Sequence, residues 1–168
     1  MKTCKLLREQ VAAATGSKKA ELVLKNAQIV NVFTQSVETG DIAIEGGYIV
    51  GIGNYEGITE KDLGGAYVCP GFLDGHIHIE SSMTSPGEFE RAVVPHGTIA
   101  VITDPHEIAN VAGTAGIRFM MQSAQKLDLD VYFMLPSCVP ATDLDESGAE
   151  LLARDLEPFY ADEKVLGL

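Results

Sequence analysis

Basic residues are scarce in this chain of 168: twelve Lys and Arg stand against 24 Asp and Glu, for a formal net charge of −12. Phosphate contacts need clustered cations, so the balance argues against nucleic acid as a partner and favours solubility. Cysteine is scarce too. Cys4, Cys69 and Cys138 are odd in number and far apart, which suggests neither a disulfide framework nor a CxxC zinc site and fits a reducing cytoplasm. Long apolar runs are missing: no stretch approaches the roughly 20 residues of a membrane span. The apolar stretch 11–14, behind Lys2, Lys5 and Arg8, is too short for a signal-peptide core. Internal repeats and low-complexity tracts are absent as well. The expectation is a soluble cytoplasmic protein with neither a membrane nor a nucleic-acid partner.

What the chain does contain is the profile of a globular domain, 46% apolar and 21% charged. Residues 5–14 have helical composition and stop at Thr15-Gly16-Ser17. From 20 to 68 the texture changes to brief apolar runs broken by Thr-Gly and Gly-Gly, which predicts a small antiparallel β unit that needs further strands to complete a sandwich. Beyond it, apolar runs alternate with helix-like stretches: GFLDGHIHI, PGEFERAVVPHG, TIAVITD, VAGTAGIRFMMQSAQKL, DVYFML, ESGAELLARDLEPFY and KVLGL. That rhythm predicts an α/β fold with a parallel sheet, three βα units and the start of a fourth strand. A closed barrel takes eight strands and about 250 residues, so less than half of one is expected. The division reads 1–19 helix and linker, 20–68 partial β-sandwich, 69–168 partial (β/α)8 barrel.

The chemistry is concentrated at 68–80, VCPGFLDGHIHIE. Residues two apart on a strand share a face, so His76 and His78 project together, with Asp74 and Glu80 continuing the same polar stripe. Two imidazoles fixed on one strand suit a divalent transition metal, and the carboxyl end of a barrel strand is where βα barrels build active sites. Ordinary strand histidines are the plainer alternative, but the preceding Pro-Gly and the βα rhythm that follows favour metal.

Two later segments fall at the expected mouth of the barrel. Thr103-Asp104-Pro105-His106-Glu107 reads as a loop running to Val111, holding Asp104, His106 and Glu107; a turn in which Asp104 or Asn110 caps the next helix is the alternative. An HExxH zinc site is excluded because Asn110 stands four residues after His106. Ser81 and Ser82 are candidates either for substrate contact or for capping the helix that starts near Pro86. Cys138, in the stretch PSCVPAT, reads as a buried cysteine with no partner base, and His96 before Gly97 as a helix-end histidine.

The motif Pro70-Gly71-Phe72-Leu73-Asp74 with His76 and His78 resembles that of the amidohydrolase superfamily, which places a small β-sandwich before a metal-bearing barrel. HIHIESSM at 76–83, TDPHEIANV at 103–111 and MLPSCVPAT at 134–142 are similar, more narrowly, to the adenine deaminases of bacteria and archaea. The resemblance implies hydrolysis of adenine to hypoxanthine and ammonia in purine salvage, with Mn²⁺ or Fe²⁺ as cofactor, Zn²⁺ being chemically admissible. His76 and His78 would be metal ligands. Asp74, Glu80, Ser81, Ser82, Asp104, His106 and Glu107 would contact substrate or stand behind the ligands. The HxE and PCxxC signatures of the nucleic-acid deaminases are absent.

The resemblance also implies further ligands from later strands: a bridging Glu, two His and an Asp acting on protons. None follows in this chain, so it is expected to be an N-terminal fragment, inactive alone, with an open sheet that favours a homo-oligomer. Two other readings stay open: a cyclic-amide hydrolase of the dihydroorotase or hydantoinase kind, and a non-catalytic binding or assembly protein keeping half of the fold.

Overall fold

A computed structural model describes residues 3–168; Lys2, counted above among the basic N-terminal residues, lies outside them. The chain divides into two units, one ending at Pro70 and one running Gly71–Leu168.

The first unit opens with α1, Cys4–Ala14, whose N-cap Thr3 accepts a hydrogen bond from the Leu6 N–H at 3.3 Å. It stops at Thr15, and Gly16 follows at φ +72°, a conformation that costs glycine nothing. Ala13 of this helix is buried with Ala20, Val23 and Ala43. Five strands follow: β1 Ala20–Asn31, β2 Ser36–Glu45, β3 Tyr48–Gly53, β4 Gly57–Asp62 and β5 Tyr67–Val68. They form one sheet in the order β3-β2-β1-β4, with β5 also pairing β1.

Antiparallel pairing holds only for β1–β2 and β2–β3; β4 and β5 both run parallel to β1, so the expected antiparallel unit is a mixed sheet. The cause is the connection 54–56, which returns the chain to the far side of β1 rather than folding it back as a hairpin. Strand β1 is broken by a bulge between Leu24 and Ala27, where Asn26 takes φ +58° and gives its N–H to Asp41 at 3.1 Å.

In the second unit four strands are all parallel, in the order β6-β7-β8-β9: Phe72–Ile77, Thr98–Thr103, Asp130–Met134 and Val165–Gly167. Helix α2, Pro86–Val93, begins with proline in its first turn, where a missing N–H does no harm. It buries Phe89 and ends in a 3₁₀ turn, Val94–His96, closed by Gly97 at φ +94°. Helix α3 spans His106–Ser123 and bends at Gly113. Ile79, Phe89, Val101, Met120, Leu129, Val131 and Phe133 make the core between the helices and the sheet.

The helix expected across 146–160 is mostly not there: only α4, Ala153–Leu156, and a 3₁₀ segment, Glu157–Ala161, are helical. Before them Thr142 and Asp145 hydrogen-bond each other through Asp145 Oδ2, and Ser147 bonds Asn110, so the side chains commit this stretch to turns. Among the described residues no helix is long and apolar enough to cross a membrane.

Candidate metal centre

The carboxyl ends of β6, β7 and β8 carry the residues that the motifs singled out. Strand β6 ends at Ile77, and His78 starts a 3₁₀ turn, Ile79–Ser82. His78 keeps extended backbone (φ −107°, ψ 100°), so its ring still projects beside that of His76. Their Nε2 atoms lie 3.1 Å apart, with ring centroids at 5.0 Å and planes at 75°.

The polar stripe does not continue past that point. Buried Ile79 pulls the turn into the core, and Glu80 swings to accept the Ile108 N–H at 3.3 Å instead of lying on a strand face. At the other end of the stripe, Asp74 accepts the His76 N–H at 3.1 Å. Neither serine caps α2. Ser82 Oγ donates to the Ile79 carbonyl at 2.6 Å and pairs with Thr84, while Ser81 reaches elsewhere.

After β7 the expected loop is only Asp104 and Pro105, because α3 already begins at His106. Neither Asp104 nor Asn110 caps this helix. Pro105 holds the N-cap position, Glu80 takes an orphan N–H, and the Asn110 amide donates to the His106 carbonyl at 3.0 Å. Glu107 in the first turn faces His78, with Oε2 3.0 Å from Nδ1, and its Oε1 accepts from Ser81 Oγ at 2.9 Å. His106 meets the His78 ring edge-on at 6.5 Å and places Nδ1 3.7 Å from Cys138 Sγ. Cys138 is exposed rather than buried, and it has a histidine beside it.

Spacing does not announce the contacts Ser81–Glu107–His78 and His106–Cys138, since their members come from different βα segments. The only available signal is that parallel neighbours bring successive strand ends together.

Burial pushes the Glu80 carboxyl up, against the N–H groups of its own backbone and of Ile108. Burial likewise raises Asp104, against the pull of His78, His106 and His76. For Glu107 burial acts upward, yet its own N–H, Ser81 and His78 outweigh it and hold the carboxyl below its ordinary value. Glu80 Oε2, Asp104 Oδ1 and Thr103 Oγ1 are buried without a hydrogen-bond partner.

Two nitrogens held about 2.0–2.1 Å from one cation at tetrahedral angles stand roughly 3.3 Å apart. The 3.1 Å between the histidine Nε2 atoms fits that requirement. Among the described residues no set of three His, Cys, Asp or Glu side chains converges to close around an ion, so this chain offers a two-nitrogen donor pair.

The amidohydrolase family profile matches residues 67–166, which is the whole second unit apart from its last two residues, with the strand leading into it. The chain is 57% identical over 164 residues to adenine deaminase 2 of Carboxydothermus hydrogenoformans, covering 98% of this chain and 29% of that protein. Against the adenine deaminase of Geobacillus kaustophilus it is 58% identical over 162 residues, covering 96% and 28%. The chain thus spans less than a third of the length of these curated relatives. Among solved structures, the zinc- and phosphonate-bound N-acyl-D-glutamate deacylase of Bordetella bronchiseptica superposes with a TM-score of 0.56 at 16% identity, over 83% of this chain and 34% of that one. The fold is therefore shared, and a profile match over more than half of the chain, which includes the paired histidines, places the chain in the amidohydrolase family.

Proposed function

We propose that this chain is the N-terminal part of a metal-dependent adenine deaminase, acting in purine salvage on adenine and water to give hypoxanthine and ammonia. Its architecture is the first part of a β-sandwich (20–68, after a leading helix and linker at 1–19), then the first three βα units and fourth strand of a (β/α)8 barrel (69–168). The observation that carries the reading is the convergent Nε2 pair of His76 and His78 at 3.1 Å, in a chain 57% identical to an adenine deaminase.

His76 and His78 would hold a divalent cation, Mn²⁺ or Fe²⁺ with Zn²⁺ also compatible with imidazole, whose Lewis acidity makes water a nucleophile near neutral pH. Asp104 and Glu80, both raised by burial and each with an unpartnered oxygen, are placed to hold a proton or to accept one from the purine ring. Asp74, Ser81, Ser82, His106 and Glu107 complete the surround. Two histidine donors bind a cation weakly, so the 168 residues are inactive alone.

The test is ammonia release from adenine. The 168-residue chain gives none, a polypeptide extended to the length of the relatives gives it, and the extended form loses it by at least 100-fold on His76→Ala or His78→Ala. Full activity in those variants, or turnover of dihydroorotate or a hydantoin in place of adenine, overturns the reading.

A further inference from the structure

We propose that Glu107 is a positioning residue: its carboxylate, steered by Ser81, accepts a hydrogen bond from Nδ1–H of His78 and so leaves the Nε2 lone pair of that ring facing the point that His76 also faces. This rests on the metal reading above. The two oxygens of Glu107 are divided between two donors, Oε2 lying 3.0 Å from His78 Nδ1 and Oε1 accepting from Ser81 Oγ at 2.9 Å. An ionised carboxylate can only accept, so Nδ1 must carry the hydrogen. In a neutral imidazole the other nitrogen is then a bare lone pair. That is the tautomer able to donate to a cation through Nε2.

The carboxylate is also held from behind. Glu107 lies in the first turn of α3, whose start is fixed by Pro105, by the Glu80 cap on Ile108 and by fully buried Ala109. A helix N-terminus additionally favours a negative charge. The His106 ring meets His78 edge-on, with centroids 6.5 Å apart. His76 is braced differently: its contacts are its backbone N–H to Asp74 and its Nε2 to the other ring. Among the described residues, His78 and not His76 has a carboxylate on its far nitrogen, and partners of that kind typically contribute 10–100-fold to metal affinity.

The experiment uses the ¹⁵N-labelled 168-residue chain without metal, near pH 8.5, where an ordinary imidazole is neutral. Long-range ¹H–¹⁵N spectra read the histidine tautomers, and His78→Ala assigns the signal. The expected result is a pure Nδ1–H form at His78 that becomes mixed or Nε2–H in Glu107→Ala and Glu107→Leu. Titration with zinc or cobalt chloride then shows affinity falling roughly 10–100-fold in Glu107→Ala, less in Ser81→Ala, with Glu107→Asp recovering part of it.

Should Glu107→Ala fail to fold by circular dichroism, the near-isosteric Glu107→Leu, which offers no acceptor, carries the test. An Nε2–H tautomer in the wild type, or an unchanged Nδ1–H tautomer in either variant, overturns the proposal. Zinc binding indifferent to His76→Ala and His78→Ala sinks the metal reading instead. The metal-free spectra still decide what Glu107 does to His78.

Discussion

Asp41 is buried within the first sheet and accepts from Lys25 Nζ at 2.5 Å, from Asn26 N–H at 3.1 Å and from Tyr55 N–H at 3.3 Å. The Lys25 ammonium, then burial acting the other way, then the two backbone donors set its pKa, and the balance is downward. Lys25 is raised in turn, chiefly by Asp41. A depressed carboxyl stabilises the fold fully above the unfolded carboxylate range and loses that contribution as pH falls through its native value. A raised ammonium contributes below the unfolded lysine range and loses its share as pH rises through the native value. The pair therefore supports a plateau from about pH 4 to about pH 10. Asp41→Ala should cost about 2–4 kcal/mol in urea unfolding near neutrality, because it strands a lysine and two N–H groups. Asp41→Asn should flatten the acid limb of stability against pH, and an unaltered limb contradicts the assignment. None of this is visible from residue spacing, since Asp41 meets Lys25 only because β1 bulges where β2 pairs with it. His76 and His78 are legible because strand geometry alone puts i and i+2 on one side.

Helix α3 bends where Gly113 adopts φ +58°, ψ −140°, and the segment before the bend carries His106 and Glu107. The stretch 141–150 seats on that segment: Ser147 Oγ bonds Asn110, and Gly148 comes so close that an added Cβ would stand 2.7 Å from the Val111 carbonyl and 2.9 Å from that of Asn110. Neither contact is with a flexible side chain, so Gly148→Ala must move backbone. A loss of about 1–3 kcal/mol is expected, as for other overpacked sites. The amide resonances of Glu107 and Ile108 should shift with it; unchanged stability and shifts would show that the loop does not brace the helix. This seat also explains why 146–160 is not the helix its Ala, Glu and Leu content suggests. Propensity is a weak prior, and the tertiary contact of Ser147 and Gly148 overrides it. The mixed pairing of the first sheet was unreadable for a related reason. Apolar alternation marks a strand, but it does not say whether 54–56 turns back or crosses over.

Large apolar side chains stay exposed in both units, Phe33 at 95% and Ile58 at 74% in the first, Phe72, Leu73 and Ile99 at 53–60% in the second. We propose that the chain self-associates through such surface. Sedimentation should give a species heavier than 17.9 kDa that dissociates in Leu73→Lys combined with Ile99→Lys; a wild-type monomer at all concentrations refutes this. The net charge of −12 opposes association at neutral pH and vanishes near the pI of about 4.6, where light scattering should find the solubility minimum.

Patterns that depend on local periodicity, such as the βα alternation after Pro70, the paired histidines of β6 and the glycine stops at Gly16 and Gly97, follow from residue order because backbone geometry fixes them within a few residues. The hold of Glu107 on His78, the Glu80 cap on α3 and the meeting of His106 with Cys138 join residues 28 to 32 apart. Those contacts exist only once parallel strands lie side by side, since hydrogen bonds reach about 3 Å and nothing in the order of residues measures that distance.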